Sequence, residues 1–156
     1  MLAETTEPAA PAGIARRDLI TVGVLTVAAA ALYAVYSLTR FWTFHTTTYD
    51  LVIFDQAVRS YSHLHLPTAI VKGVHNGFGP HFNVLGDHFS PILALLAPLY
   101  WIHDGPQTLL IAQSALLALA IVPLWSYTRR RLGVGAAYCV SCVYALAWPV
   151  AETLAF

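Results

Sequence analysis

The chain has 156 residues, 58% of them hydrophobic and only 10% charged, with a mean hydropathy of +0.63. Soluble domains carry roughly a quarter charged residues, so a water-soluble globular domain is excluded, as is intrinsic disorder, which needs low hydrophobicity and high net charge. Eight Lys plus Arg balance eight Asp plus Glu, which removes the electrostatic case for a nucleic-acid partner. An integral membrane protein remains, with room for a few spans of roughly 20 apolar residues each.

Residues 1–18 read as a cytoplasmic tail, its Ala, Pro, Thr and Glu from Met1 to Gly13 suiting a solvated segment. Arg16 and Arg17 precede an apolar run from Leu19 to Leu38, long enough to cross a hydrocarbon core about 30 Å thick. By the positive-inside rule this arginine pair holds the N-terminus in the cytoplasm, and Tyr33, Tyr36, Phe41, Trp42 and Phe44 form an aromatic belt at the other end. The first span with its interface covers residues 19–44. A cleaved signal peptide is the rival reading, but the run exceeds the roughly 7–15 residues of a signal core and further spans follow.

Residues 45–107 form the extracytoplasmic loop. Thr108 to Tyr127 is a second span, residues 128–133 a basic cytoplasmic loop marked by Arg129, Arg130 and Arg131, and residues 134–156 a third span, most apolar from Val134 to Val150. Within the loop, Pro91 to Ile102 is apolar but reaches only about 18 Å as a helix, too short to cross. It is expected to lie in the outer interface, N-capped by Ser90, kinked by Pro98 and ended by the turn Asp104, Gly105, Pro106. The fold class is therefore all-α integral membrane, about three transmembrane helices with amphipathic interfacial helices in the outer loop.

That loop carries all seven histidines, His45, His63, His65, His75, His81, His88 and His103, and four acids, Asp50, Asp55, Asp87 and Asp104. Titratable groups concentrated beside a membrane mark a candidate site, although loops are polar in any case. At helical period Leu51, Phe54, Val58 and Tyr61 share one stripe and Asp55, Gln56, Arg59 and His63 the opposite one. Thr46, Thr47 and Thr48 are candidate caps for this helix. Without chemistry, Asp50 serves the helix dipole and Asp55 pairs with Arg59 on the surface, worth about 0.3–0.5 kcal/mol.

The string YDLVIFDQAVRS from Tyr49 to Ser60, then GDHFSPILALLAPLYW from Gly86 to Trp101 and a span ending in RRRLG, resembles a bacterial family of predicted polytopic membrane proteins of unknown function. The layout is in turn similar to the GT-C superfamily of membrane glycosyltransferases, which take sugars from polyprenyl-phosphate carriers. That resemblance implies a GT-C-like N-terminal portion with Asp50 as catalytic base and Arg59 as its basic companion. The proline-led segment before the second span corresponds to Ser90 to Trp101. Leu51, Val52 and Ile53 depart from the charged string usual after the first acid.

The chemistry of such a transfer needs a carboxylate to deprotonate the acceptor and cations to stabilise the leaving phosphate. Asp50 or Asp55 supplies the first, and Arg59, Lys72, His81 or His88 the second. A divalent metal is a further option: His63 with His65, or His81 with Asp87 and His88, carry ligand atoms, although no spacing matches a zinc signature. Cys139 and Cys142 lie inside the third span on one helical face, where they are expected to pack against another helix as small residues. The alternatives to an enzyme are a non-catalytic lipid-binding or transport subunit and an inactive fragment. The third span runs to Phe156, which suggests an N-terminal fragment whose missing helices, or an oligomer, complete it. The expected location is the plasma membrane.

Overall fold

A computed structural model describes residues 15–46 and 48–155. The segment Met1 to Gly13 and the candidate cap Thr47 lie outside the described residues, as does the side chain of Thr48. Helix α1 spans Arg16–Trp42, α2 Thr48–Ser62 and α3 Ile70–His75. Two 3₁₀ segments, Val84–Gly86 and Pro91–Leu96, lead into α4, Ala97–Tyr100. Then come α5 Pro106–Leu119, α6 Ile121–Leu132, α7 Val134–Ala145 and α8 Trp148–Ala155.

Three stretches are long and apolar enough to cross a membrane: α1, α5 with α6 (Pro106–Leu132), and α7 with α8 (Val134–Ala155). At 1.5 Å per residue even the shortest reaches about 33 Å. Each helix runs past the apolar run that marks it, because flanking polar residues such as Arg129, Arg130 and Arg131 continue the hydrogen-bonded ladder. Val24, Val27, Leu32 and Val35 of α1 stay exposed. A water-soluble monomer does not leave so long an apolar face open, whereas lipid covers it.

The bundle is antiparallel. Leu38 and Phe41 of α1 meet Leu109 and Leu110 of α5, Ala29 and Tyr33 meet Ala118 and Ile121, and Val22 meets Trp125. The stripe of α1 that packs inward is Val22, Thr26, Ala29, Tyr33 and Ser37, mostly small residues that let helices approach closely. Thr26 bonds back to the carbonyl of Val22 at 2.9 Å, and Ser114 to that of Leu110 at 2.8 Å. Tyr138 of α7 donates to Asp18 at 3.2 Å at one end, and Ser37 to the carbonyl of Leu154 at 3.0 Å near the other, so α1 and α7–α8 run the same way. Arg16, Arg17 and the triplet Arg129–Arg131 therefore share one end of the bundle, and residues 45–105 occupy the opposite end.

Both interruptions in the spans precede a proline. Pro123 has no N–H for the carbonyl of Leu119, where α5 stops, and Pro149 has none for that of Ala145, where α7 stops. The second vacancy is filled from outside the helix: the Tyr33 hydroxyl donates to the Ala145 carbonyl at 2.8 Å. Tyr33 is thus buried in the bundle instead of standing in an aromatic belt, whereas Trp42 and Phe44 are exposed. Cys139 and Cys142 also depart from expectation. They are exposed, while Ala137 and Ser141, on the other side of α7, are the residues packed inside.

The segment before α5 is not a single kinked helix. The Ser90 side chain makes no capping bond, residues 91–96 wind as 3₁₀, and Pro98 sits in the first turn of α4, where its missing N–H costs nothing. Pro106 likewise opens α5 instead of closing a turn. With a period near three, Phe89, Ile92, Leu95, Leu99 and Ile102 project outward as an apolar ridge, while Leu93, Leu96, Ala97 and Tyr100 turn toward the protein.

Candidate functional site

Helix α2 organises the histidine-bearing end. Leu51, Phe54 and Val58 pack on Tyr100, Leu109 and Leu110, as their spacing predicts. The side of α2 that bears Ile53, Gln56, Ala57 and Ser60 is covered as well, because residues 67–88 fold back over it. Ile53 and Ala57 join Ala69 and Val84 in a small core, Gln56 accepts from the N–H of Val71 at 3.2 Å, and the hydroxyls of Ser60 and Thr68 lie 3.1 Å apart. Backbone bonds from Ala69 to Phe82 (3.0 Å) and from Val84 to Pro67 (2.9 Å) close the fold-back. Its tightest point is Gly73. A Cβ there would stand 2.0 Å from the Gly79 carbonyl oxygen, so only glycine fits.

Asp55 is therefore not half of a surface pair. It is 9% exposed and accepts from the Tyr100 hydroxyl at 2.8 Å and from Arg59 at 3.1 Å; Arg59 reaches Asp104 at 2.6 Å with its other nitrogen. Burial, then the hydrogen bond and charge of Asp55, push the Tyr100 phenol well above its ordinary range. At Arg59 burial opposes the charge, but Asp55 and Asp104 outweigh it and hold the guanidinium above its usual value. The group pins α2 to the segment leading into α5. Trp101 adds a bond to the carbonyl of Ser62 at 2.8 Å.

A second cluster joins Lys72 of α3 with Asp87, and His88 stands 2.5 Å from the same carboxylate oxygen. Its end of α3 docks on the first turn of α2: the rings of His75 and Tyr49 meet edge to face at 5.4 Å, and Asn76 donates to the Tyr49 hydroxyl at 3.4 Å. Asp50 is the next residue. It is exposed and, among the described residues, engages no hydrogen bond or ion pair. His81 is exposed in the turn before Val84.

Of the expected site residues the structure thus brings together Lys72, Asp87 and His88, while α3 meets the first turn of α2 through His75 and Asn76. It sets Asp55 and Arg59 apart in a closed ion-pair group. Among the described residues no three of His, Cys, Asp or Glu are grouped to hold a metal; His63 and His65 are exposed beyond the end of α2, and only His88 touches an acid. One residue passed over in the sequence is Arg40, in the last turn of α1. Its signal was present: a lone cation at the end of an apolar span, ahead of the polar loop.

An open apolar groove of about 430 Å³ lies between α2, the Pro91–Leu96 segment and α5. Leu51, Phe54, Leu93, Leu96, Leu109 and Leu116 are among its lining, and Gln113 is its polar member. Phe54 is four residues beyond Asp50, so the two share one face of α2.

Three membrane-length helices capped by a folded polar end define an integral membrane protein. Residues 40–156 match the family model described as Predicted membrane protein (DUF2079), and the chain belongs to that family. No curated protein and no solved structure matches the chain.

Proposed function

We propose that this end of the protein is a sugar-transfer site of GT-C type, at which Asp50 deprotonates an acceptor hydroxyl while a polyprenyl-phosphate sugar gives up its glycosyl group. One observation carries the assignment: of the four acids between His45 and Gln107, Asp55 and Asp104 are bound by Arg59 and Asp87 by Lys72, and among the described residues only Asp50 is left open. A carboxylate already committed to a guanidinium or ammonium is a weak base, so Asp55 is assigned to structure. His88, Lys72 and His81 supply positive charge and hydrogen bonds beside α2 for the leaving phosphate. Both arginine clusters stand at the far end of the bundle, which under the positive-inside rule supports a plasma-membrane protein with that end in the cytoplasm and Asp50 outside. Further helices or a second copy complete the enclosure around the carrier.

Asp50→Asn keeps the side chain's shape and removes its basicity. In membranes containing the full-length protein it is expected to abolish sugar transfer from a polyprenyl-phosphate sugar without lowering protein level. Transfer at the wild-type rate removes Asp50 from the mechanism. An Asp50→Cys variant must also react with a membrane-impermeant maleimide added outside the cell; labelling confined to lysed cells reverses the orientation. The apolar groove between α2 and α5 favours a second function, binding of a lipid chain without chemistry, for which supplied carrier is retained by the protein but never consumed.

A further inference from the structure

We infer that Arg40 binds the phosphate of a membrane-lipid head group at the joint between α1 and α2. Three cations other than histidine stand at this end of the molecule. Arg59 is neutralised by two acids and Lys72 by one, but no carboxylate of the described residues comes within 4.0 Å of Arg40. Its guanidinium, half-buried, is held by neutral groups: Nε donates to the Ala155 carbonyl at 3.2 Å, Nη2 to the His45 carbonyl at 2.6 Å, and the Tyr36 ring lies 5.8 Å away. These contacts orient the fork without cancelling its charge, and they occupy two of its five N–H groups. The N–H groups left over suit a phosphate, which guanidinium grips with paired bonds.

Position selects the source of that phosphate. Arg40 is in the last turn of a 27-residue membrane-length helix, next to exposed Trp42, where lipid head groups lie. The joint is tight, the N–H of His45 returning to the Arg40 carbonyl at 2.9 Å across Phe44 in the left-handed region (φ 58°). Five residues on from His45 is Asp50, within about 17 Å along the chain. Among the described residues a cation and an acid, neither in an ion pair, thus flank one joint. The site is independent of sugar transfer, since Arg40 grips a phosphate whether or not Asp50 acts as a base.

Phenylglyoxal modification of the purified full-length chain, mapped by mass spectrometry, tests it in a detergent that carries no phosphate. Dihexanoyl phosphatidic acid is expected to slow modification of Arg40 about tenfold, the effect of a charge-assisted pair, and to leave Arg16 unchanged. Dihexanoylglycerol gives no protection. Arg40→Lys keeps the charge without the fork and retains less phosphatidic acid in native mass spectra than wild type, and Arg40→Gln retains none. Equal reactivity of Arg40 with and without phosphatidic acid overturns the site. Equal protection by inorganic phosphate assigns it to free anion and overturns the lipid head group. No arm depends on transfer, so failure of the Asp50 experiment and failure of this one are separate results.

Discussion

Removing the Tyr100 hydroxyl isolates the bond that closes the polar end of the molecule. Tyr100→Phe keeps the ring, 4% exposed and packed against Leu51, Val58 and Leu109, and so opens no large cavity. What is lost is a 2.8 Å O–H donation to the carboxylate of Asp55. Hydrogen bonds to charged groups contribute about 1.5–3 kcal/mol. Asp55 keeps its bond to Arg59, whose side chain is 39% exposed and partly hydrated, so the lower part of that range, about 1.5–2 kcal/mol, applies. Asp55→Asn weakens the same bond together with the ion pair, and the double variant should lose less than the two single ones combined. A coupling of about 1 kcal/mol or more is expected for groups in direct contact. Equilibrium unfolding of detergent-solubilised protein, followed by tryptophan fluorescence at neutral pH, reads all four members of the cycle. Additive losses, or a Tyr100→Phe variant as stable as wild type, would refute the idea that this bond holds α2 to the helix before α5.

The same phenol gives a pH prediction. Its folded pKa lies above the ordinary 10 because burial and Asp55 disfavour the phenolate, so its stabilisation is complete below pH 10 and is lost as pH climbs through the folded value. Wild type should therefore lose stability above pH 10 more steeply than Tyr100→Phe, and parallel curves in alkaline unfolding contradict this. Gly73→Ala sets a Cβ against the Gly79 backbone and is expected to cost about 1–3 kcal/mol, loosening residues 67–84 first, which limited proteolysis or hydrogen exchange detects. Within the bundle, Tyr33→Phe leaves the Ala145 carbonyl without its donor, a loss of about 0.6–1.7 kcal/mol in a membrane setting. Adding Pro149→Ala restores an N–H to that carbonyl and should recover most of the loss; no recovery in the double variant rejects the account.

Much of the fold was legible because a bilayer imposes a length scale that a few apolar runs must meet. Leu19 to Leu38 announces a span on its own. What the runs leave open is where each helix ends and how it is interrupted, since those depend on which backbone groups find partners elsewhere. Tyr33 looked like a belt residue by composition and position. It is a buried donor because Pro149, more than a hundred residues away, frees a carbonyl opposite it. The cysteines of α7 misled for a related reason. Small size permits close packing, but the neighbouring residues Ala137 and Ser141 have it too, and nothing local decides which side of a uniformly apolar helix turns inward.

At the candidate site the residue types were visible and their commitments were not. Asp50 and Asp55 are five residues apart on one helix and equally acidic in the unfolded chain. What separates them is Asp104, which helps Asp55 hold Arg59, and Tyr100, which donates to Asp55 from α4. Both partners lie roughly 45 residues away and are brought near only when the Pro91–Leu96 segment lays Leu93 and Leu96 against α2. The fold-back of residues 67–88 pairs Lys72 with Asp87, and among the described residues one acid and one arginine at the α1–α2 joint form no ion pair. An unpaired charge at a membrane interface is retained only if water, lipid or substrate completes it. It is therefore the pairing pattern, more than the density of histidines, on which the proposals for Asp50 and Arg40 rest.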